Sequence, residues 1–156
     1  MAKKTIFIFI IAFLVITLNS CANLYSQPGK ETYPATVKMS SVSNGFLDWR
    51  TAKIKSIDDQ IVIKWSDYVR VAPGNHLFVI DVQFNRSFFD SGPYQSFSNL
   101  SVNLQAGKNY QLNSLLEGAI VKVWLEDESG RRITPVSSSN YQAVRQYTPP
   151  TIIVTK

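Results

Sequence analysis

The sequence predicts an all-β domain, a single antiparallel β-sandwich of about seven or eight strands after a cleaved signal peptide. Two observations predict it. Beyond residue 33, short segments of alternating apolar and polar residues recur at a spacing of roughly 10 residues, with turn-forming residues between them. No stretch of about twelve residues sustains the apolar period of a helix, and only residues 113–118 leave room for one helical turn. The predicted sandwich covers residues 34–136.

The chain begins with a segment, residues 1–20, that is typical of a secretory signal. Lys3 and Lys4 precede an unbroken apolar run over residues 6–15, and small and polar residues lead to Cys21. The run is shorter than the roughly 20 residues that a membrane-spanning helix needs. Cleavage before Cys21 is therefore expected. A retained transmembrane anchor and a soluble secreted protein with a free Cys21 stay open as alternatives.

Cys21 is the predicted attachment point for lipid. It is the only cysteine in the chain, so it has no partner for a disulfide within the chain. Leu18, Ser20 and Cys21 resemble the end of a bacterial lipoprotein signal, with Asn19 in place of the usual small residue. The resemblance implies diacylglycerol on the sulfur and a palmitate-type acyl chain on the new amino terminus, and several chains anchor stably. In Gram-negative lipoproteins, Ala22 after the cysteine implies transport to the outer membrane. We expect the body of the protein to face the periplasm.

The first elements after the signal are a tether and a hairpin. Residues 21–33 contain Ser, Gln, Pro and Gly without apolar periodicity, which predicts a lipidated tether. Alternation then predicts a strand from residue 35 to 41. Residues 52–56 and 61–65 alternate in the same way around an Asp58–Asp59–Gln60 turn, which predicts a hairpin.

The clearest turn in the sequence is Ala72–Pro73–Gly74–Asn75, because Pro presets one dihedral angle and Gly tolerates a positive φ. The strand predicted over residues 76–84 is apolar on both faces at its start, as a central strand would be. His76 opens this strand and is the only histidine in the chain. We expect its ring to hydrogen-bond the turn or a neighbouring strand, so Pro73, Gly74 and His76 form a predicted structural turn.

The second half of the chain predicts four more strands and a tail. A loop is expected over residues 85–95, followed by strands near residues 100–104, 110–112, 119–125 and 131–136. Turns are expected at residues 105–108 and 126–130. Residues 137–156 are polar and contain prolines, which predicts an irregular segment at 137–139 and leaves open an edge strand near the end.

Two segments carry a second resemblance. Val71–His76 before an apolar strand, and Leu104–Tyr110 after one, are similar to a recurrent pattern in small bacterial lipoproteins of unassigned function. PEGA domains share the Pro-Gly-x-His type of turn. The resemblance implies a transthyretin-like or immunoglobulin-like sandwich, and it implies no catalytic residues.

Aromatic residues are concentrated between positions 49 and 97. Phe88 and Phe89 are adjacent in the predicted loop, and adjacent residues of an extended chain point to opposite sides. At least one ring is therefore a candidate for exposure. Phe88, Phe89 and Tyr94 form a predicted partner-contact loop, since exposed aromatic rings stack on sugars or dock proteins. The alternative is that the loop folds back and closes one end of the sandwich.

Several functions are disfavoured by what the sequence contains. One cysteine and one histidine leave zinc and copper sites without their preferred ligands, and no Gly-x-Ser-x-Gly motif is present. The acidic groups at 58–59 and 126–128 lack the ligand spacing of a calcium loop and predict solvated turns. Basic residues are scattered, which disfavours nucleic-acid binding. We therefore expect no metal and no cofactor.

The leading hypothesis from the sequence is a lipid-anchored, non-catalytic module that binds a protein or an envelope polysaccharide, or assists envelope assembly. A second hypothesis is an inhibitor or capture protein for a glycan hydrolase, in which one protruding loop enters the cleft of that enzyme. A third is an envelope glycan hydrolase that uses paired carboxylates.

Overall fold

A computed structural model describes residues 24–43, 49–63, 66–86 and 92–144, and this part of the chain folds into two packed β-sheets. A 3-10 turn (Lys30–Thr32) precedes the sheets. The strands are β1 (Ala35–Lys38), β2 (Ser40–Ser43), β3 (Trp49–Ile57), β4 (Gln60–Ile61), β5 (Tyr68–Val71), β6 (Gly74–Phe84), β7 (Tyr94–Leu104), β8 (Asn109–Glu117), β9 (Ile120–Asp127), β10 (Ser137–Asn140) and β11 (Gln142–Ala143).

The two sheets are built mostly from antiparallel neighbours. One sheet has the order β10-β9-β8-β1-β5, and the other has the order β11-β7-β6-β3-β2 with β4 paired to the end of β3. Strands β6 and β7 form the longest hairpin, in register from Gly74 opposite Leu104 to Phe84 opposite Tyr94. Strand β1 is parallel to β8 and antiparallel to β5. The expected all-β class and the two-layer sandwich are confirmed.

The core lies between the sheets and follows the alternation of the sequence. On β7, Leu100, Val102 and Leu104 are buried while the residues between them are exposed. The same alternation buries every second residue of β6 from Phe78 to Phe84 and of β9 from Val121 to Leu125, because successive side chains of a strand point to opposite faces. Burial of these side chains stabilises the fold by about 1.5–3 kcal/mol for each large aliphatic or aromatic residue.

The described part of the chain has eleven strands, so the prediction of seven or eight is too low. Part of the excess comes from short strands such as β4 and β11, which have no alternation long enough to read. Residues 113–117 continue β8, and no helical turn forms there. Residues 131–136 make only one isolated bridge, Arg132 to Glu126, instead of the predicted strand.

Residues 137–139 are not irregular, and the expectation of a ragged segment there is wrong. Ser137–Asn140 forms β10, which pairs antiparallel with β9. The Ser139 hydroxyl lies 2.6 Å from that of Ser96 and 2.5 Å from that of Ser98, both on the opposite sheet. Hydroxyl contacts across the core hold this strand in place. Its sequence therefore lacks the alternating apolar residues by which a strand is predicted. Residues 145–156, including the predicted edge strand, lie outside the described residues.

The described part of the predicted tether, from Leu24 onward, is docked on the body. Leu24 forms a parallel bridge with Ile61, and the Tyr25 N–H donates to the Ile61 carbonyl at 2.8 Å. Tyr25 packs on the core, and its hydroxyl donates to the Arg70 carbonyl at 3.2 Å. The segment therefore covers the gap between β4 of one sheet and β5 of the other. Within the described ranges, no helix is long and apolar enough to span a bilayer.

Candidate functional site

Three of the predicted functional residues, Cys21, Phe88 and Phe89, lie outside the described residues. Tyr94 is described, and it begins β7 instead of lying in a loop. Its ring stacks on Phe84 with centroids 5.6 Å apart and meets Tyr141 edge-on at 5.0 Å. The Tyr141 hydroxyl in turn accepts from Arg86 at 2.6 Å. The structure thus places Tyr94, half-buried, in a packed aromatic cluster at one end of the sandwich.

The predicted structural turn lies at the opposite end. Gly74 has a φ of 127°, a value that L side chains rarely adopt, and it is the first residue of β6. The His76 ring lies with Nδ1 2.6 Å from Asp58 Oδ2 and Nε2 2.8 Å from the Ala72 carbonyl. His76 therefore joins the turn before its own strand to the β3–β4 turn. This arrangement uses both ring nitrogens in structural contacts.

The Asp58 carboxylate completes this contact. Its other oxygen accepts the backbone N–H of Leu77 at 2.8 Å. Partial burial raises the pKa of Asp58, but the Leu77 hydrogen bond and the neighbouring His76 outweigh it, and the pKa lies below its ordinary value. Asp58 and Asp59 have positive φ values of 48° and 64°, which fits a tight hairpin turn.

A polar cleft of about 370 Å³ lies at the same end of the sandwich. One wall is the turn between β7 and β8, and the other is the loop that follows β9. It is lined by Asn103, Gln105, Lys108, Asn109, Tyr110, Asp127, Glu128, Ser129, Arg131 and Ile133. We call it the end cleft. A direct hydrogen bond of 2.6 Å from Asn109 Nδ2 to Glu128 Oε1 joins the two walls.

The loop after β9 is held by one carboxylate. Asp127 Oδ1 accepts the Ser129 hydroxyl at 2.5 Å and the backbone N–H groups of Ser129 and Arg131 at 3.0 and 3.1 Å. The Arg131 guanidinium pairs with Oδ2 at 3.0 Å. These contacts lower the pKa of Asp127 to about 2. The largest cause is the hydrogen bond from the Ser129 hydroxyl, and together with the Arg131 contacts it outweighs desolvation, which raises the pKa. The loop is therefore ordered by its own residues.

The opposite wall is ordered by the amino-terminal segment and by Tyr110. The Gly107 N–H donates to the Tyr33 carbonyl at 2.8 Å, and the Thr36 N–H donates to the Lys108 carbonyl at 2.9 Å. The buried Tyr110 hydroxyl accepts the Gln105 N–H at 3.0 Å. Both walls are thus pre-organised, which lowers the entropic cost of binding a ligand.

A second polar cluster continues from the cleft along the outer face of β8 and β9. Glu126 accepts from Trp124 Nε1 at 2.6 Å and from Asn113 Nδ2 at 2.7 Å, so both carboxylate oxygens are occupied. The Arg132 guanidinium lies 4.8 Å from the centre of the Trp124 ring, in cation–π geometry. Indole and guanidinium surfaces of this kind are frequent in binding interfaces.

The end cleft is not predicted by the sequence. The sequence predicts a solvated turn at residues 126–128 and another at 105–108. A turn does form at residues 106–107, but Glu126 and Asp127 are half-buried at the end of β9, and the second turn covers residues 128–130. Their proximity depends on the pairing of β8 with β9, which brings Tyr110 opposite Asp127. The Asp-x-Ser-x-Arg spacing from Asp127 to Arg131 is a local signal that predicts an ordered loop, because short carboxylates bond backbone N–H groups two residues ahead.

No group of three or more metal-ligating side chains occurs in the part of the chain that the structure describes. Comparison of the chain with models of known protein families, with curated proteins and with solved structures found no match. The resemblances to bacterial lipoproteins and to PEGA domains therefore stay predictions.

Proposed function

We propose that this protein is a lipid-anchored, periplasm-facing envelope lipoprotein whose β-sandwich serves as a non-catalytic binding or envelope-assembly module. The observation that carries the binding role is the end cleft, in which polar groups are held in place by their neighbours. The anchor is supported by the residues before and at Cys21. The partner is a protein or an envelope polysaccharide.

The state of the carboxylates supports binding over catalysis. Asp127 has a pKa of about 2, and it is engaged by Ser129 and Arg131. A carboxyl that is ionised so readily is a poor general acid near neutral pH, and its lone pairs are already occupied. Glu126 is likewise engaged on both oxygens by Trp124 and Asn113. These groups maintain the shape of the surface, which suits recognition.

The exposed groups of the cleft define the kind of partner. Lys108 and Glu128 present opposite charges on the two walls, and Asn103, Gln105 and Asn109 present amides. Amides offer both donors and acceptors, which suits the backbone of a peptide or the hydroxyls of a glycan. Trp124 and Arg132 extend this polar surface with stacking groups.

A blocking substitution tests the binding role. Asn103 is exposed on the outer face of β7 and lines the cleft, so Asn103→Trp should fill the entrance. Asn99 is exposed on the same face of the same strand and is not among the lining residues, so Asn99→Trp is a matched control. Capture is measured by cross-linking in cells followed by purification, and by co-sedimentation with purified envelope polysaccharide.

Asn103→Trp should abolish capture, and Asn99→Trp should leave it unchanged. The β-sheet circular dichroism of both variants should match that of the unmodified protein. Equal capture by both variants, with an intact sheet, would refute the end cleft as the binding site.

The hydrolase-inhibitor hypothesis is a second candidate, and the loop over residues 127–131 is the observation that favours it. The loop is fixed by Asp127 and presents Glu128, Ser129 and Arg131 at the surface. Inhibitors commonly bind enzyme clefts with pre-organised loops, since little conformational entropy is lost on binding. The purified mature domain should then inhibit a lysozyme, and Asp127→Ala should weaken inhibition. A domain that inhibits no lysozyme excludes this candidate.

A further inference from the structure

The amino-terminal segment and β4 form a small two-stranded surface with distinct faces. Leu24 and Ile61 are paired in parallel, so their side chains lie on the same face. Tyr25 and Val62, which directly follow the two bridged residues, pack against the core. The Val62 N–H also donates to the Lys55 carbonyl at 2.9 Å, which continues the extended pairing. The alternation therefore directs Leu24, Ile61 and Ile63 outward together.

These three residues are unusual in their exposure. Ile63, Leu24 and Ile61 are 58%, 51% and 47% exposed, the highest values among the exposed large aliphatic side chains in the described ranges. Exposed aliphatic residues scattered singly need no explanation, whereas a contiguous group marks an interaction surface. We call this group the amino-terminal apolar face.

The position of this face relative to Cys21 restricts what it can meet. Only three residue steps separate Cys21 from Leu24, and a fully extended chain spans at most about 10 Å over that distance. Acyl chains on Cys21 lie in hydrocarbon, so a lipidated Cys21 holds Leu24 close to the headgroup region. Apolar side chains of interfacial proteins enter this region to a depth of about 5–10 Å.

We infer that the amino-terminal apolar face of Leu24, Ile61 and Ile63 lies against the lipid bilayer and sets the orientation of the sandwich on the membrane. The inference rests on the proposed lipidation of Cys21. Burial of three aliphatic side chains in the interface adds to the attachment made by the acyl chains. The docked segment also removes the free tether that would let the body rotate away from the bilayer.

A fluorescent label tests the contact. Cys21 is the only cysteine of the chain, and acylation consumes its thiol, so Ile63→Cys introduces the only free thiol into the mature lipoprotein. The full mature lipoprotein is labelled there with NBD and reconstituted into phosphatidylethanolamine–phosphatidylglycerol vesicles, with or without lipids that carry a nitroxide quencher. Leu115→Cys is the matched control, because Leu115 is 45% exposed on β8 of the other sheet.

The label at position 63 should show several-fold higher emission in vesicles than in detergent-free buffer, and nitroxide lipids should quench it. The label at position 115 should show neither effect. Equal behaviour of the two labels on an acylated protein overturns the inference and leaves the anchor standing. The inference is also overturned if the emission at position 63 rises with protein concentration and is not quenched by nitroxide lipids. That result would mean that a second copy of the chain, and not the bilayer, covers the face.

Intact-mass spectrometry of the same sample separates the two failures. One labelled thiol and an acylated Cys21 validate the anchor, after which quenching decides the orientation. Two labelled thiols and an unmodified amino terminus overturn the anchor, and the inference falls with it.

Discussion

Asp127 shows how one half-buried side chain can order a loop. Its carboxylate accepts from Ser129 and from Arg131, and both donate from the backbone as well as the side chain. The ordinary pKa of 3.8 falls to about 2. A carboxyl with a lowered pKa stabilises the folded state above its unfolded pKa, and this contribution disappears as the pH falls through the folded pKa.

Asp127→Asn should lower the Tm at neutral pH, because the ionised acceptor is lost. The difference in Tm between the unmodified protein and the variant should shrink as the pH falls from about 4 to about 2, the window between the two pKa values. Thermal unfolding across this range provides the measurement. Ser138→Ala, which changes an exposed residue that does not ionise, is the control and should give a Tm difference that does not vary with pH. A Tm difference that is constant with pH would contradict the role of Asp127.

His76 and Asp58 form a second residue-scale contact, at the junction of two turns. Replacing either one, as in His76→Phe or Asp58→Asn, should cost about 1 kcal/mol of unfolding free energy for each hydrogen bond lost. The double variant should cost less than the sum of the two, with a coupling on the order of 1 kcal/mol. Urea unfolding of the four proteins gives the values. Strict additivity would show that the 2.6 Å contact contributes nothing to stability.

At the scale of elements, β10 shows that a polar strand can complete a sandwich. Ser139 faces the core and contacts the Ser96 and Ser98 hydroxyls, while the neighbouring Ser138 is exposed. The Ser96 hydroxyl also reaches the Asn140 carbonyl at 3.0 Å. Buried hydroxyls need partners, so this small network explains why serines are tolerated between the sheets.

Ser139→Ala should destabilise the domain by about 1–3 kcal/mol, because it leaves buried hydroxyls of Ser96 and Ser98 with fewer partners. Ser138→Ala is the matched control on the same strand and should change stability by less than about 0.5 kcal/mol. Chemical denaturation of the two variants distinguishes them. Equal stability of the pair would mean that water replaces the Ser139 hydroxyl without loss.

The docked amino-terminal segment protects the edges of both sheets. Leu24 pairs with β4, and Gln27 accepts the Arg70 N–H of β5 at 3.2 Å through its side chain. Exposed strand edges are sites of unwanted pairing, and natural sheets commonly cover them with a loop or a short segment. The segment that the sequence predicted as a spacer is therefore, from Leu24 onward, part of the folded body.

At the scale of the whole molecule, the proposed anchor determines where the protein works. Cys21→Ser removes the sulfur that accepts the lipid, so this variant should enter the aqueous phase on detergent partitioning. The unmodified protein should enter the detergent phase, because several acyl chains anchor a protein more strongly than one. Intact mass should increase by a diacylglycerol and an acyl chain only in the unmodified protein. Ala22→Ser, beside the acceptor residue, is the control and should still partition into detergent. An unmodified protein that stays in the aqueous phase would contradict the anchor.

The proposed orientation keeps the end cleft accessible. The amino-terminal apolar face includes Ile61 of β4, which pairs with β3, while the cleft begins at β7 and continues to β8 and β9. Three strand intervals separate β4 from β7 across the sheet, about 14 Å at the usual strand spacing. A bilayer against the apolar face therefore leaves Lys108 and the loop after Asp127 free to meet a partner.

The sequence alone predicted a large part of the fold. Alternation placed Leu100, Val102 and Leu104 on an inward face, and these residues are buried. It also predicted the turn before β6 and the turn after β9. These features were accessible because the two-residue period of a half-buried strand, and the dihedral preferences of Pro and Gly, are properties of neighbouring residues.

Only the tertiary structure decided the remaining features. The Ser139 contacts join residues 43 and 41 positions apart, and the Tyr25–Arg70 hydrogen bond joins residues 45 positions apart. A polar side chain can hydrogen-bond a partner on any strand, so such contacts leave no periodic pattern in the sequence. Neither the serines of β10 nor the short amino-terminal segment could therefore be placed from the sequence. The end cleft is of the same kind, because strand register alone brings Tyr110 opposite Asp127. Local patterns determined which residues form strands, whereas long-range pairing determined which polar groups meet.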